Sequence, residues 1–354
     1  MNYAARRSLM AEIARKRGSQ VIAYITGDRE NVSTRIAPDV LPVFHRHLRL
    51  LPTCKRLDLF LYSRGGDVLT PWRLAHLIRE WAPDFSVLVP YRAYSAGTLI
   101  CLGADEVVMG TMGELGPIDP SVVSAFNPKD PVNPNARIPV NVEDVYSFLA
   151  LAREMAGMSN DEDRRRTFLL LAEKIHPLAL GNVHRNYLLV RSLAQKLLAL
   201  RRAPPPAEQV RHIVDSLTEK LYAHNHMIPR REASTEIGLA ITYPDPDLEN
   251  LLWSLYEHYE QELLLNQPFN PADIIRGTRS DFEVVGGLVE SVAGQDAFVF
   301  HGVAERQDCP DGRINVSILH QGWRHAKEGV WIESQDRDHD RGRDQSWRHA
   351  KEGV

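Results

Sequence analysis

Two stretches of this 354-residue chain hold residues whose types and spacing could carry out acyl-transfer chemistry. Ser95 stands in "VPYRAYSAGTLICLG", just past an apolar run, where small residues open a helix. A hydroxyl at that place lies among N–H groups that have no intrahelical acceptor, at the positive end of the helix dipole. It can serve as a nucleophile or simply cap the helix. One crossover earlier, "YSRGGDVLTPW" breaks off another apolar run into Gly65 and Gly66. A phosphate loop would need G-x-x-x-x-G-K-[ST] or G-x-G-x-x-G there, and neither is present. A plain strand-to-helix turn explains one glycine more easily than two. The third reading is an oxyanion hole, with the N–H groups of Gly66 and Ala96 aimed where a carbonyl oxygen becomes negative.

Positioning these groups needs strand ends held side by side. Four short runs rich in Val, Ile, Leu and aromatics read as buried parallel strands, at 20–26, 56–62, 85–90 and 105–110. Helical patterns alternate with them. In "TPWRLAHLIREW", Trp72, Ala75, Leu77, Ile78 and Trp81 fall largely on one face, behind Pro71. Strand–helix alternation predicts right-handed βαβ crossovers. From about residue 142 the pattern turns helical to about 222, with one more long helix at 245–265, and strand-like runs return at 281–320. The predicted organisation is a helix over 1–19, a main domain over 20–265, a small β-subdomain over 266–322, and a disordered tail over 323–354. That tail repeats "WRHAKEGV" at 323–330 and 347–354, around a segment with almost nothing to bury.

Apolar residues make up 44% of the chain and charged residues 25%, the balance of a soluble globular protein. Three cysteines, an odd number and far apart, read as reduced thiols in a cytoplasmic protein, with Cys101 buried and inert. The net charge of −4 supplies no global field for nucleic acid. The basic N-terminal helix reads as a solvated docking helix ending at Gly18, the alternative being peripheral contact with a membrane or an acidic partner.

"DLFLYSRGGDVLTPWRLAHLIR", "VPYRAYSAGTLICLGADEVVMGTMGELGPIDP", "HPLALGNVHR" and "REASTEIGL" together resemble the serine dehydrogenase proteinase family. These are Clp-fold serine peptidases related to the Clp protease and signal peptide peptidase A, and the resemblance spans roughly residues 20–260. It implies an α/β, ClpP/crotonase-like fold of stacked βαβ units with helical insertions and a small C-terminal β-subdomain. It also implies peptidase activity with Ser95 as nucleophile and Gly66 and Ala96 as oxyanion donors. The Clp protease carries a histidine after the strand that follows the nucleophile helix. In this chain "GELGPIDP" has none, and Asp119 is the nearest titratable group, as a base or orienting residue or as an acceptor for backbone N–H groups.

Signal peptide peptidase relatives use a lysine, whose pKa must be lowered by burial. Lys174 in "LLLAEKIHPLALG" is the first candidate, against the alternative of a lysine snorkelling off a helix; Lys129, in a solvated loop, is the next. Where the Clp protease carries its triad acid, this chain has Asn225 between His224 and His226, which makes His224 a second candidate base. The His-x-His pairs at 45/47 and 224/226 have no third ligand in sight, so neither a metal nor a cofactor is expected.

The leading expectation is a serine peptidase with a Ser-Lys dyad, acting on an unfolded polypeptide or peptide. The alternative is a catalytically inactive Clp-fold scaffold that binds peptides or proteins. Crotonase-type acyl-CoA chemistry shares the fold, but it depends on acid–base carboxylates rather than on a serine at a helix start. Relatives assemble into rings or stacks, so a homo-oligomer is expected.

Overall fold

The computed structural model describes residues 3–118, 121–122, 124–130, 133, 135–158, 160–219, 226–306, 314–327 and 330–333. Helix α1 (Tyr3–Arg17) leads through Gly18 into β1 (Gln20–Thr26). There follow α2 (Val40–Leu50), β2 (Arg56–Tyr62), α3 (Thr70–Arg79), β3 (Asp84–Val89), the short β4 (Arg92–Ala93), α4 (Ala96–Leu102) and β5 (Glu106–Met109). The four strands expected from the apolar runs are therefore present. Their order is β5-β3-β2-β1, all parallel.

These strands are apolar on both faces because helices cover both. Along β1, Ile22 and Tyr24 enter one core while Val21, Ala23 and Ile25 enter the other. In β2, Leu57, Leu59 and Leu61 are likewise divided from Phe60 and Tyr62. The first core is closed by α2, α3 and α4. Leu74, Ala75, Leu77 and Ile78 supply the buried face of α3. Trp81, expected on that face, is instead exposed, because the helix ends at Arg79 and the chain turns away.

Short strands β6 (Glu114–Leu115), β7 (Ser121–Val122) and β8 (Val140–Asn141) precede four helices: α5 (Val142–Glu154), α6 (Asp161–Lys174), α7 (Pro177–Ala199) and α8 (Ala207–Glu219). The last two reach back into the first core through Val190, Ala194, Leu197, Ile213 and Leu217. After β9 (Ile228–Pro229), α9 (Arg230–Thr235) and β10 (Ile241–Thr242), helix α10 (Pro246–Leu263) shares the second core with α1. The basic N-terminal helix is docked by more than apolar contact. Arg6 is fully buried and grips Glu290 with Nε and Nη2, at 2.9 and 2.7 Å.

The strand-like C-terminal runs form β11 (Arg279–Ser291), β12 (Gly294–Arg306), β13 (Ile314–Lys327) and β14 (Val330–Glu333). They extend the main sheet rather than standing apart, because β11 pairs antiparallel with β1. The structure corrects the expectation of a disordered tail from residue 323. Residues 323–327 belong to β13 and 330–333 to β14. Trp323 anchors them, with its ring 5.6 Å from Phe298 and 6.5 Å from Tyr24. The second copy of the octapeptide lies outside the described residues. Among the described residues, no helix is long and apolar enough to cross a membrane. Burial pushes the Cys101 thiol up to about 12, as an inert core cysteine requires. The architecture is the ClpP-like α/β fold that the sequence motifs implied, with a large central sheet flanked by helices.

Candidate active site

The two motifs meet because the ends of β2 and β4 are clamped together. The Ser63 N–H donates to the Arg92 carbonyl at 2.9 Å, and the Tyr94 N–H donates to the Ser63 carbonyl at 3.0 Å. This bridge carries the glycine turn to the foot of α4. A β-carbon placed on Gly65 would come within 2.8 Å of the Ser95 β-carbon and 3.3 Å of its Oγ. Gly65 has φ +106°, a conformation that side chains disfavour. Gly66 is pressed on its other side against Ile36, and a β-carbon there would fall 2.1 Å from the Ile36 carbonyl oxygen. The Gly65 carbonyl accepts from the Ile36 N–H at 2.9 Å, and the Asp67 N–H donates to the Ile36 carbonyl at 2.7 Å. With its neighbours bonded to Ile36, the Gly66 N–H turns to the opposite edge, where β4 and Ser95 lie.

Ser95 occupies the N-cap position of α4 but does not cap it. Its φ of 51° and ψ of −110° are strained for a residue with a side chain. The hydroxyl is half-buried and makes no hydrogen bond among the described residues. The simple capping reading of Ser95 therefore has no bond to rest on. Neither the Gly66 N–H nor the Ala96 N–H meets an acceptor among the described residues, whereas the Gly97 N–H is bonded to the Tyr94 carbonyl at 2.8 Å. One unbonded hydroxyl thus sits in a strained turn, with two unpaired amides in the same pair of turns. Unpaired backbone amides beside a hydroxyl are the kind of donors that can receive a developing negative charge.

The loop after β5 is tied to this turn. The buried Thr98 hydroxyl donates to the Ala93 carbonyl at 2.8 Å and accepts from the Gly116 N–H at 3.1 Å. Gly116 lies against the Tyr94 ring, and the Tyr94 hydroxyl bonds Glu114. The Ile118 N–H then bonds the Leu217 carbonyl of α8 at 3.1 Å, joining the helical insertion to the site's floor.

The expected bases fare differently. Lys174 is the last residue of α6, exposed and without a hydrogen bond or ion pair among the described residues. Of the two readings of Lys174, a buried stem or a lysine lying off the helix surface, the single chain shows the exposed one, and only Thr167 of α6 is buried. Lys129 is also exposed, its main chain paired with Arg137 in an isolated antiparallel β-bridge. Asp119 and His224 lie outside the described residues. His226 bonds Glu232 at 2.8 Å. Among the described residues, no cluster of His, Cys, Asp or Glu is arranged to hold a metal ion.

Two groups near the site drew no notice in the sequence. The Ser63 hydroxyl accepts from the Gly65 N–H at 3.0 Å, and the Thr26 hydroxyl donates to Ser63 at 2.7 Å. A serine two residues before a glycine is a local signal for this kind of turn, whereas the Thr26 partner is visible only in the fold. Nor does any local motif signal a Ser–His–Asp chain away from this site. His47 Nδ1 lies 2.8 Å from Ser291 Oγ, and His47 Nε2 lies 3.0 Å from Asp296 Oδ2, with all three residues fully buried.

Comparison with known proteins bears on the same stretch. Two uncharacterized proteins of Methanocaldococcus jannaschii are similar. One is 26% identical over 268 residues, 73% of this chain and 79% of its own length. The other is 32% identical over 122 residues, 31% of this chain and 40% of its own length. Among solved structures, a serine-to-alanine mutant of the 1510-N membrane-bound stomatin-specific protease aligns with a TM-score of 0.35 at 14% identity, covering 65% of this chain and 83% of that one. Residues 1–130 match the family described as ClpP-like SDH-type serine proteinase, so the resemblance to that family of serine peptidases holds across the stretch that carries Gly65, Gly66 and Ser95.

Proposed function

We propose that this protein is a serine peptidase in which Ser95 attacks the carbonyl of an extended peptide and the N–H groups of Gly66 and Ala96 receive the oxyanion. The observation that carries this reading is the Ser95 hydroxyl, unbonded in a strained turn against Gly65. Strain of that kind, about 1–3 kcal/mol, persists only where surrounding structure enforces it, and it is concentrated at functional sites. The reaction runs through an acyl-enzyme. The Ser95 oxygen bonds the carbonyl carbon, the amine leaves with a proton, and water then releases the acid. The hydroxyl proton passes to one of three groups: Lys174, His224 or Asp119. Lys174 is exposed in the single chain, so its part as base belongs to an arrangement in which substrate or another copy of the chain covers it. A homo-oligomer and an unfolded polypeptide substrate belong to the same proposal.

The decisive experiment is labelling with a fluorophosphonate. Wild type is expected to be modified at Ser95 and Ser95→Ala to be silent; labelling that persists in the variant sinks the assignment. Replacing Lys174, His224 and Asp119 singly by alanine should slow labelling strongly in one case alone, which names the base. A second reading, a Clp-fold scaffold that binds peptides without cutting them, draws support from the absence, among the described residues, of any base bonded to the Ser95 hydroxyl. Saturable peptide binding with no turnover of any denatured protein would favour it.

A further inference from the structure

Ser63 is tied at once to both halves of the site. Its main chain bonds Arg92 and Tyr94, on the way to the nucleophile. Its side chain, fully buried, accepts from Thr26 Oγ1 at 2.7 Å and from the Gly65 N–H at 3.0 Å. The Gly-Gly stretch is otherwise the least constrained backbone in the site, since neither glycine brings a side chain to lock it. Two peptide planes decide where the Gly66 N–H points. The plane that ends in the Gly65 N–H is held by Ser63 Oγ, and the next, through the Gly65 carbonyl, is held by Ile36 at 2.9 Å.

Without the Ser63 oxygen, the Gly65 N–H becomes a buried donor with no acceptor, and Thr26 loses its own acceptor. The turn then relaxes by rotating the planes, and the Gly66 amide leaves the edge where Ser95 stands. Ser63 is also unsuited to be a nucleophile, because its oxygen is already bonded from two sides and fully enclosed.

We infer that Ser63 is a positioning residue for the oxyanion amide, with Thr26 orienting its hydroxyl from β1; this rests on the peptidase reading above. An oxyanion donor misaimed by an ångström acts on the transition state and hardly on ground-state binding. The signature is therefore a fall in kcat without a matching change in KM.

The test uses the full chain, p-nitrophenyl acetate hydrolysis and the rate of fluorophosphonate labelling. In Ser63→Ala, kcat and the labelling rate are expected to fall about tenfold to a hundredfold, with KM within about twofold. Ser63→Cys keeps a weak sulfur acceptor and should lie between the two; it also carries the test if the alanine variant does not fold. Wild-type kcat and labelling in either folded variant overturn the inference. If Ser95→Ala is silent in the same experiment, that outcome leaves the assignment of Ser95 intact. Labelling that survives in Ser95→Ala overturns both.

Discussion

Two serines in this molecule look interchangeable on paper and are opposite in physics. Ser291 heads a complete hydrogen-bonded Ser–His–Asp chain, the arrangement usually sought in a serine hydrolase. The Ser95 hydroxyl makes no hydrogen bond among the described residues. Yet Ser291 is fully buried, and its oxygen also accepts from the Ala293 N–H at 3.2 Å. Asp296 is held further by Arg46 and by His325 Nδ1 at 3.2 Å. Burial alone would raise the Asp296 carboxyl; the hydrogen bond and charge of His47, with Arg46, outweigh it and hold the group below its ordinary value. The Ser291 hydroxyl, both His47 nitrogens and the Asp296 carboxylate are all bonded, so the network fastens α2 to the β11–β12 hairpin. Around Ser95 the reverse holds, with an idle hydroxyl, two idle amides and a strained backbone. A triad is recognised by access and by unspent donors as much as by the order of its bonds.

The sharpest way to break this contrast is to delete each serine's machinery in turn. Ser95→Ala is expected to lower turnover at least about a thousandfold, while its thermal midpoint stays within a few degrees of wild type in calorimetry. His47→Ala is expected to do the opposite. It leaves a buried carboxylate and a buried hydroxyl short of partners and costs about 3 kcal/mol in denaturant titration, with labelling of Ser95 intact wherever the protein is folded. The same variant should unfold at higher pH in acid. The lowered Asp296 pKa stabilises the fold above the unfolded value near 3.8, and that contribution fades as pH falls through the folded value. With His47 gone the depression shrinks, and the stabilisation with it. The mildest change is Ser291→Ala, expected to cost about 1 kcal/mol by chemical denaturation and nothing in turnover. Loss of labelling at Ser95 in that variant would reverse the roles of the two serines.

The local features were legible from sequence. The four parallel strands showed as short apolar runs between turn residues, because a strand covered on both faces needs apolar side chains at every position. The nearness of the glycine turn to Ser95 was also legible, since each stands just past a strand and neighbouring parallel strands end on the same side of the sheet; the contact is at Gly65. The apolar stretch before Lys174, Phe168–Leu171, argues for a buried helix end, but Phe168, Leu169 and Leu170 are exposed. Amphipathic pattern tells which face a helix would bury, but not whether a partner is present to bury it. Trp323 opens the repeated octapeptide, whose spacer has almost nothing to bury, so the sequence puts it in a tail; the ladder with β12 and the ring seated against Tyr24 and Phe298 hold it in a strand.

By itself, then, the amino-acid order determined the strands, the crossovers and the position of a serine and two glycines at adjoining strand ends, because each of these depends on residues close together along the chain. The tertiary structure decided which serine is bonded and which is free. His47 stands 244 residues from Ser291 and 249 from Asp296. No local pattern records contacts across such separations; they exist only once β11 has closed against β1.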